Sequence, residues 1–299
     1  MSDGSLRATA NLRESLGNKL RTWLHAISHP LPVRMQMFSL SAYILFADFG
    51  LTLRRFNMQD WMIALAAGLA TEAMMAKFSS KPIRLSSAYI SSSAIFFLLD
   101  SPYWWADPAL AAIAVFLKRN ITDFRGSHHF NPANLALLCG IGVTPMIYTL
   151  DPTRLPHRQD LYLLIVALGS LTVVLAKRYW LAASYLGSFV ILSALWATWT
   201  GENLSYSIFR VLGPLNLVFC FHMISDPVTS PEKRNDQLRL GVALACVDVI
   251  LRELYIYHST LLAMISIAAL RGTWTNWRFT LHPLECGHPV ELKGPQGRI

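Results

Sequence analysis

Long tracts without Asp, Glu, Lys or Arg recur at even intervals along this chain, and they settle its class before any motif is read. The clearest run over 126–150, 161–176, 179–201 and 254–270, with 85–99 and 211–225 slightly shorter. Segments 35–53, 58–76, 105–117 and 238–256 complete ten candidate spans. A helix needs about 20 apolar residues to cross the hydrocarbon layer. Several of these tracts reach that only with their interfacial ends, and 105–117 falls short. Composition agrees, with 15% charged and 53% hydrophobic residues, where a soluble domain carries about 25% charged residues. A disordered chain, a disulfide scaffold and an ordinary cytosolic enzyme are excluded. The expected fold class is an all-α polytopic membrane protein with ten transmembrane helices.

A net charge of +8 suggests nucleic acid at first sight, but no basic run with interleaved aromatics forms a binding face. In so apolar a chain the surplus instead sets orientation, because Lys and Arg collect in cytoplasmic loops. With the N-terminus inside and ten alternating spans, 20 of the 26 Lys and Arg residues fall on the cytoplasmic side. Both termini are therefore expected in the cytoplasm, with the lipid bilayer as partner and no nucleic acid. The first 30 residues lack an apolar core and a small-residue cleavage site, so no cleavable signal peptide is expected. The domain reading is a cytoplasmic segment 1–30, a membrane domain 31–272 in halves 31–152 and 153–272, and a cytoplasmic tail 273–299. Tyr103-Trp104-Trp105, Tyr179-Trp180, Trp196, Trp199, Trp274 and Trp277 flank spans, as aromatic rings at headgroup level do. Cys139, Cys220, Cys246 and Cys286 form no CxxC pair. The tail string His282, Cys286, His288 lacks a fourth ligand, so no metal site is expected.

Two polar clusters abut apolar spans. One is Gly126-Ser127-His128-His129-Phe130-Asn131-Pro132-Ala133-Asn134, and the other runs from His222 through Asp226-Pro227-Val228-Thr229 to Pro231. In each, a short polar residue precedes proline, which biases it away from helix. Two readings stay open. As helix caps, Asn and Asp would bind backbone N–H groups, with Pro in the first turn. As interrupted helices in corresponding places of two halves, they would mark a repeat with a ligand site between.

The same residues resemble two signature stretches of the RnfD/NqrB family, the flavin-bearing membrane subunits of the Rnf electron-transport complex and the sodium-pumping NADH:quinone oxidoreductase. The resemblance covers residues 35–270. It implies a urea-transporter-like fold of two inverted five-helix repeats in a bacterial inner membrane, with flavin held between them. Asn131 and Asn134, around Pro132, would contact the flavin in one half, and the turn of Asp226, Pro227 and Thr229 would line the other. From their own chemistry, His128, His129 and His222 at the motif ends could hydrogen-bond a flavin or quinone oxygen, carry protons, or simply cap and face water. Covalent relatives attach flavin mononucleotide to the Thr of a Ser-Gly-Ala-Thr motif. The nearest string here is Gly142-Val143-Thr144-Pro145, which lacks the leading Ser. Riboflavin or flavin mononucleotide held without a covalent bond is thus implied over attachment at Thr144. So is a redox subunit working beside other redox subunits, rather than a stand-alone enzyme.

Ionisable residues within spans are functional suspects by default. Glu72 and Asp48 are expected to snorkel to an interface near Lys77 and Arg54. Asp248 and Arg252 form an i, i+4 pair on one helix face. A flavin-free permease for a small solute or metabolite is the alternative on the same fold, and an assembly subunit without ligand is a third reading.

Overall fold

In a computed structural model the chain is described over residues 30–50, 57–79, 82–120, 123–124, 127–128, 130–143, 148–149, 159–256 and 258–281. The chain is all-helical there, apart from two antiparallel ladders of two residues each. Leu99–Asp100 pairs with Tyr148–Thr149, and Asp123–Phe124 pairs with Ser127–His128. Helix α1 (Leu31–Leu45) runs into a π turn, Phe46–Gly50. Then come α2 (Met58–Phe78), α3 (Leu85–Leu98), α4 (Ala106–Asn120) and α5 (Pro132–Val143). The second series is α6 (Gln159–Leu175), α7 (Tyr179–Thr200), α8 (Leu204–Leu212), α9 (Pro214–Val218), α10 (Arg234–Glu253) and α11 (Ser259–Leu281). A π turn, Phe219–Ile224, extends α9.

Local chemistry sets these ends. Asn57 accepts the N–H of Gln59 at 3.0 Å, and Asp48 accepts that of Met58 at 3.1 Å. Asp48 therefore caps α2; Arg54, the neighbour expected for it, lies outside the described residues. Asn203 caps α8 through the N–H groups of Ser205 and Tyr206, and α7 ends at Gly201 with φ 78°. Gly213, extended before Pro214, separates α8 from α9. Among the described residues the tract 126–150 shows a helix of 12 residues, Pro132–Val143, whose start Asn131-Pro132 sets.

Every candidate span contains helix, yet among the described residues only three helical runs are long and apolar enough to cross a membrane. These are Met58–Phe78, Tyr179–Thr200 and Leu204–Ile224. Their outer surfaces are apolar. On α7 the residues Leu181, Tyr185, Phe189, Ser193 and Ala197 are buried at four-residue spacing, while Leu195 and Trp199 on the opposite face are 63% and 87% exposed. The interior carries the polar groups. Ser91, Ser92 and Ser93 of α3 are buried, and Trp61 Nε1 donates to Ser93 Oγ at 3.1 Å. Apolar outside and polar-tolerant inside is the arrangement hydrocarbon favours, since lipid tails offer helices no hydrophobic drive to associate and small or polar residues must join them.

Two sets of helices show the same order of pairings. In the first, α2 lies along α4 and against α3, and α5 packs on α4; in the second, α7 lies along α10 and against α8, and α11 packs on α10. The sets meet where α1 packs on α6 and α5 on α11. Glycine permits the closest approaches. A Cβ on Gly68 would stand 2.0 Å from Ser92 Oγ, and one on Gly241 would stand 2.0 Å from Ser184 Oγ and 2.8 Å from the Leu181 carbonyl.

Glu72 does not snorkel. It is 3% exposed and accepts Arg119 Nη1 at 2.6 Å and the N–H of Arg84 at 2.7 Å. Arg119 also donates to Ser79 Oγ at 3.1 Å and the Pro82 carbonyl at 3.4 Å, so this buried pair clamps the connection from α2 to α3. A charge with its counter-charge inside the fold needs no path to water.

Candidate functional site

The two polar clusters meet. A cavity of about 360 Å³ is lined by Asn131, Pro132 and Ala133 from one side and by His222, Met223 and the Asp226–Thr229 turn from the other. Val33 and Gln36 of α1, Arg84 and Ser87 at the start of α3, and Lys118 near the end of α4 complete the wall. A second space of about 40 Å³ lies beyond Asn131 and Thr229, with Asn134 and Arg271 on its wall.

The sequence suggested corresponding places in two halves, but the clusters do not occupy equivalent places. Asn131-Pro132 opens the fifth helix of the first set, whereas Asp226-Pro227 precedes α10, the partner of α4 in the second. They come together because one starts a helix and the other ends one at the same end of the bundle.

Both are caps and turns as well as walls. Asn131 Oδ1 accepts the N–H groups of Ala133 at 3.0 Å and Asn134 at 3.2 Å, with Pro132 at the first helical position. Asp226 Oδ1 accepts the N–H of Val228 at 3.2 Å, and Thr229 Oγ1 donates to its Oδ2 at 3.4 Å. Two arginines pin that turn: Arg178 donates to Ser230 Oγ at 2.8 Å and the Pro227 carbonyl at 3.2 Å, and Arg271 to the Thr229 carbonyl at 3.3 Å. Asn134 is 1% exposed and donates to the Leu261 carbonyl at 3.3 Å, tying α5 to α11. Of the other positions named from the sequence, His128 is described only by its ladder pairing with Asp123. His129, Thr144, His282, Cys286 and His288 lie outside the described residues.

Buried atoms without a partner lie on His222, Ser87 and Asn134. His222, 2% exposed and held in the π turn, directs Nε2 towards Tyr43 Oη at 3.3 Å and Ser39 Oγ at 3.5 Å, while its buried Nδ1 has no partner. Gln36 Nε2 donates to the His222 carbonyl at 3.1 Å, which fixes the turn against α1. Ser87 Oγ on the same cavity wall is likewise buried without a partner, and so is Asn134 Oδ1 at the smaller space. A buried polar group without a partner costs about 1–3 kcal/mol. Three such atoms belong to residues that line the two spaces. The serines were visible in the tract 85–99, but hydropathy does not say which of them face a cavity. Among the described residues no group of three His, Cys, Asp or Glu side chains could hold a metal ion.

Comparison of the chain with protein-family models and with curated proteins finds no match.

Proposed function

We propose that this chain spans a bacterial inner membrane as two inverted five-helix repeats. It holds a flavin non-covalently in the cavity between them, as an electron-transfer and ion-transport protein of the RnfD/NqrB type. The observation that carries the reading is the meeting of Asn131-Pro132 and Asp226–Thr229, distant in sequence, on one cavity with unpartnered Nδ1 of His222 and Oγ of Ser87. The repeated order of helix pairings supports the two halves. So does the alternation of spans. Counted from a cytoplasmic N-terminus, the start of α1, the start of α3, the end of α4, the start of α5 and the π turn after α9 all fall on the cytoplasmic side, and these are the segments that line the cavity.

The residues present fit a flavin head. At about 360 Å³ the cavity stands near the lower end of the range of about 300–1,000 Å³ for ligand pockets, room for a ring system rather than a whole dinucleotide. An isoalloxazine edge alternates carbonyl oxygens with ring nitrogens, and His222 and Ser87 of the wall are residue types that can each donate or accept. When bound, the flavin supplies the redox chemistry, and the protein supplies orientation and electrostatics. Gln36 and Ser39 hold the His222 turn, Asn131 fixes the start of α5, and Arg84 and Lys118 place positive charge on the wall towards a ligand phosphate or a reduced ring. The mixture of Arg84, Lys118, Asp226 and serines on the wall also suits a small hydrophilic solute, which is the permease reading.

The test is the visible absorption spectrum of detergent-purified protein before and after acid precipitation. A flavin band that moves to the supernatant, and that falls in Ser87→Ala and His222→Leu, is the expected result. Folded protein without a flavin band overturns the electron-transfer reading and leaves the permease.

A further inference from the structure

Where α6 turns into α7, and where α10 begins beside them, basic side chains gather on one corner of the surface. Lys177 and Arg178 close α6, their N–H groups donating to the Val174 and Val173 carbonyls at 3.0 Å each. Lys233 and Arg234 open α10. Gln237, 1% exposed, fixes the two segments against each other. Its Nε2 donates to the Lys177 and Glu232 carbonyls, both at 3.0 Å, and its Oε1 accepts the Leu181 N–H at 3.3 Å. A buried amide thus holds the four cations as neighbours through their backbone.

The fold itself does not call for this charge. Lys177 has φ 56°, a left-handed conformation that glycine takes freely and other residues resist. Lys233 is the N-cap of α10 with no side-chain cap bond, and Arg234 follows it; a helix start disfavours cations. Arg178 is 6% exposed, yet it donates only to Ser230 Oγ and to the carbonyls of Pro227 and Ala176. Among the described residues none of the four pairs with a carboxylate. The acids nearby are Glu232 and Asp236, and Asp236 is engaged by Arg239 at 4.0 Å and by the charge of Arg271.

Aromatic rings set the level of the corner. The Arg234 guanidinium carbon stands 4.0 Å from the centroid of the Trp180 ring, a cation–π contact between α10 and α7. Tyr179 lies beside that ring, with centroids 5.3 Å apart. On α7 the residues Tyr179, Ala183, Gly187, Ile191 and Leu195, four apart, are all exposed. They make an apolar stripe that starts at the basic corner, and a Cβ on Gly187 would meet nothing within 4 Å. Tyr and Trp at the polar end of a membrane helix sit at headgroup depth, which puts the cations at the level of lipid phosphates.

We infer that this corner binds an anionic phospholipid, its phosphate drawn to Lys177, Lys233 and Arg234 and its acyl chain lying along the α7 stripe. Basic clusters at the end of a membrane helix attract anionic lipid, and a guanidinium suits phosphate geometry. The inference rests on the chain lying in a membrane, as proposed above, and needs no flavin in the cavity.

Thermal midpoints of the full-length protein in a zwitterionic detergent, with phosphatidylglycerol or phosphatidylcholine added, test this. A lipid that binds the folded protein raises the midpoint. The expected result is a rise with phosphatidylglycerol and none with phosphatidylcholine. Most of that rise is lost in Lys177→Gly and Arg234→Gln and kept in Lys77→Gln, which removes an equal charge at the end of α2. Lys177→Gly also relieves the left-handed turn, so its midpoint without lipid holds or rises, and its lost response is not a lost fold. No selective rise, or one that Lys77→Gln loses as fully as Lys177→Gly, overturns the inference. An equal rise from soluble poly-glutamate also overturns it and marks a protein-docking patch instead. A chain that stays dissolved without detergent overturns the membrane reading and the inference together, whereas loss of lipid selectivity alone leaves the membrane reading intact.

Discussion

Arg119 keeps its charge inside the fold only because Glu72 is 2.6 Å away. Glu72→Gln leaves the guanidinium buried and uncompensated, a loss worth about 3–5 kcal/mol when one partner of a buried pair is removed. A large fall in the thermal midpoint in detergent is the expected outcome, and an unchanged midpoint would show that the pair is solvated. Asn131 makes a smaller contribution. Asn131→Ala removes a helix cap worth about 1 kcal/mol, whereas Asn131→Asp keeps the acceptor for Ala133 and Asn134. The midpoint should fall in the first and hold in the second. Asn131 and Asp226 were legible because a polar residue before proline has few conformations available. His222 stood out only as the end of a motif, and Ser87 and Gln36 did not stand out at all. Their importance lies in what faces them across the bundle, which no local pattern encodes.

Helix positions were written in the apolar tracts, and helix ends in the caps. What hydropathy could not supply was the break at Gly213, although Gly before Pro was the signal, or the start of helix at Pro132 within the tract 126–150. Packing depth was equally hidden. Gly241 and Gly187 look alike in sequence, yet a Cβ on Gly241 would strike Ser184 and the α7 backbone, while one on Gly187 meets nothing within 4 Å. Gly241→Ala should force α10 away from α7, at about 1–3 kcal/mol for overpacking. Gly187→Ala should stabilise by up to about 1 kcal/mol through helix propensity. Midpoints moving in opposite directions are the check, and a shared direction would contradict the packing of α10 on α7.

For the molecule as a whole, the alternation of charged loops makes a prediction that accessibility can measure. In a cysteine-free background, single cysteines at the exposed positions Lys77, Lys177 and Lys233 should react with an impermeant thiol reagent from one side of the membrane. Those at Glu202 and Tyr255 should react from the other. Labelling of both groups from the same side would end the ten-span topology. The spacing of tracts revealed where helix lies, but not which chain ends would gather at a cavity, because that depends on how the two sets interlock. The π turn that holds His222 has a bearing on how such a protein can change over generations. A π turn carries one residue more than an α turn between the same two ends. Loss of a single residue there could leave α9 and the Asp226 turn in place while exchanging the side chain presented to the cavity. The lining of the cavity can thus drift by a one-codon deletion, with the scaffold around it inherited unchanged.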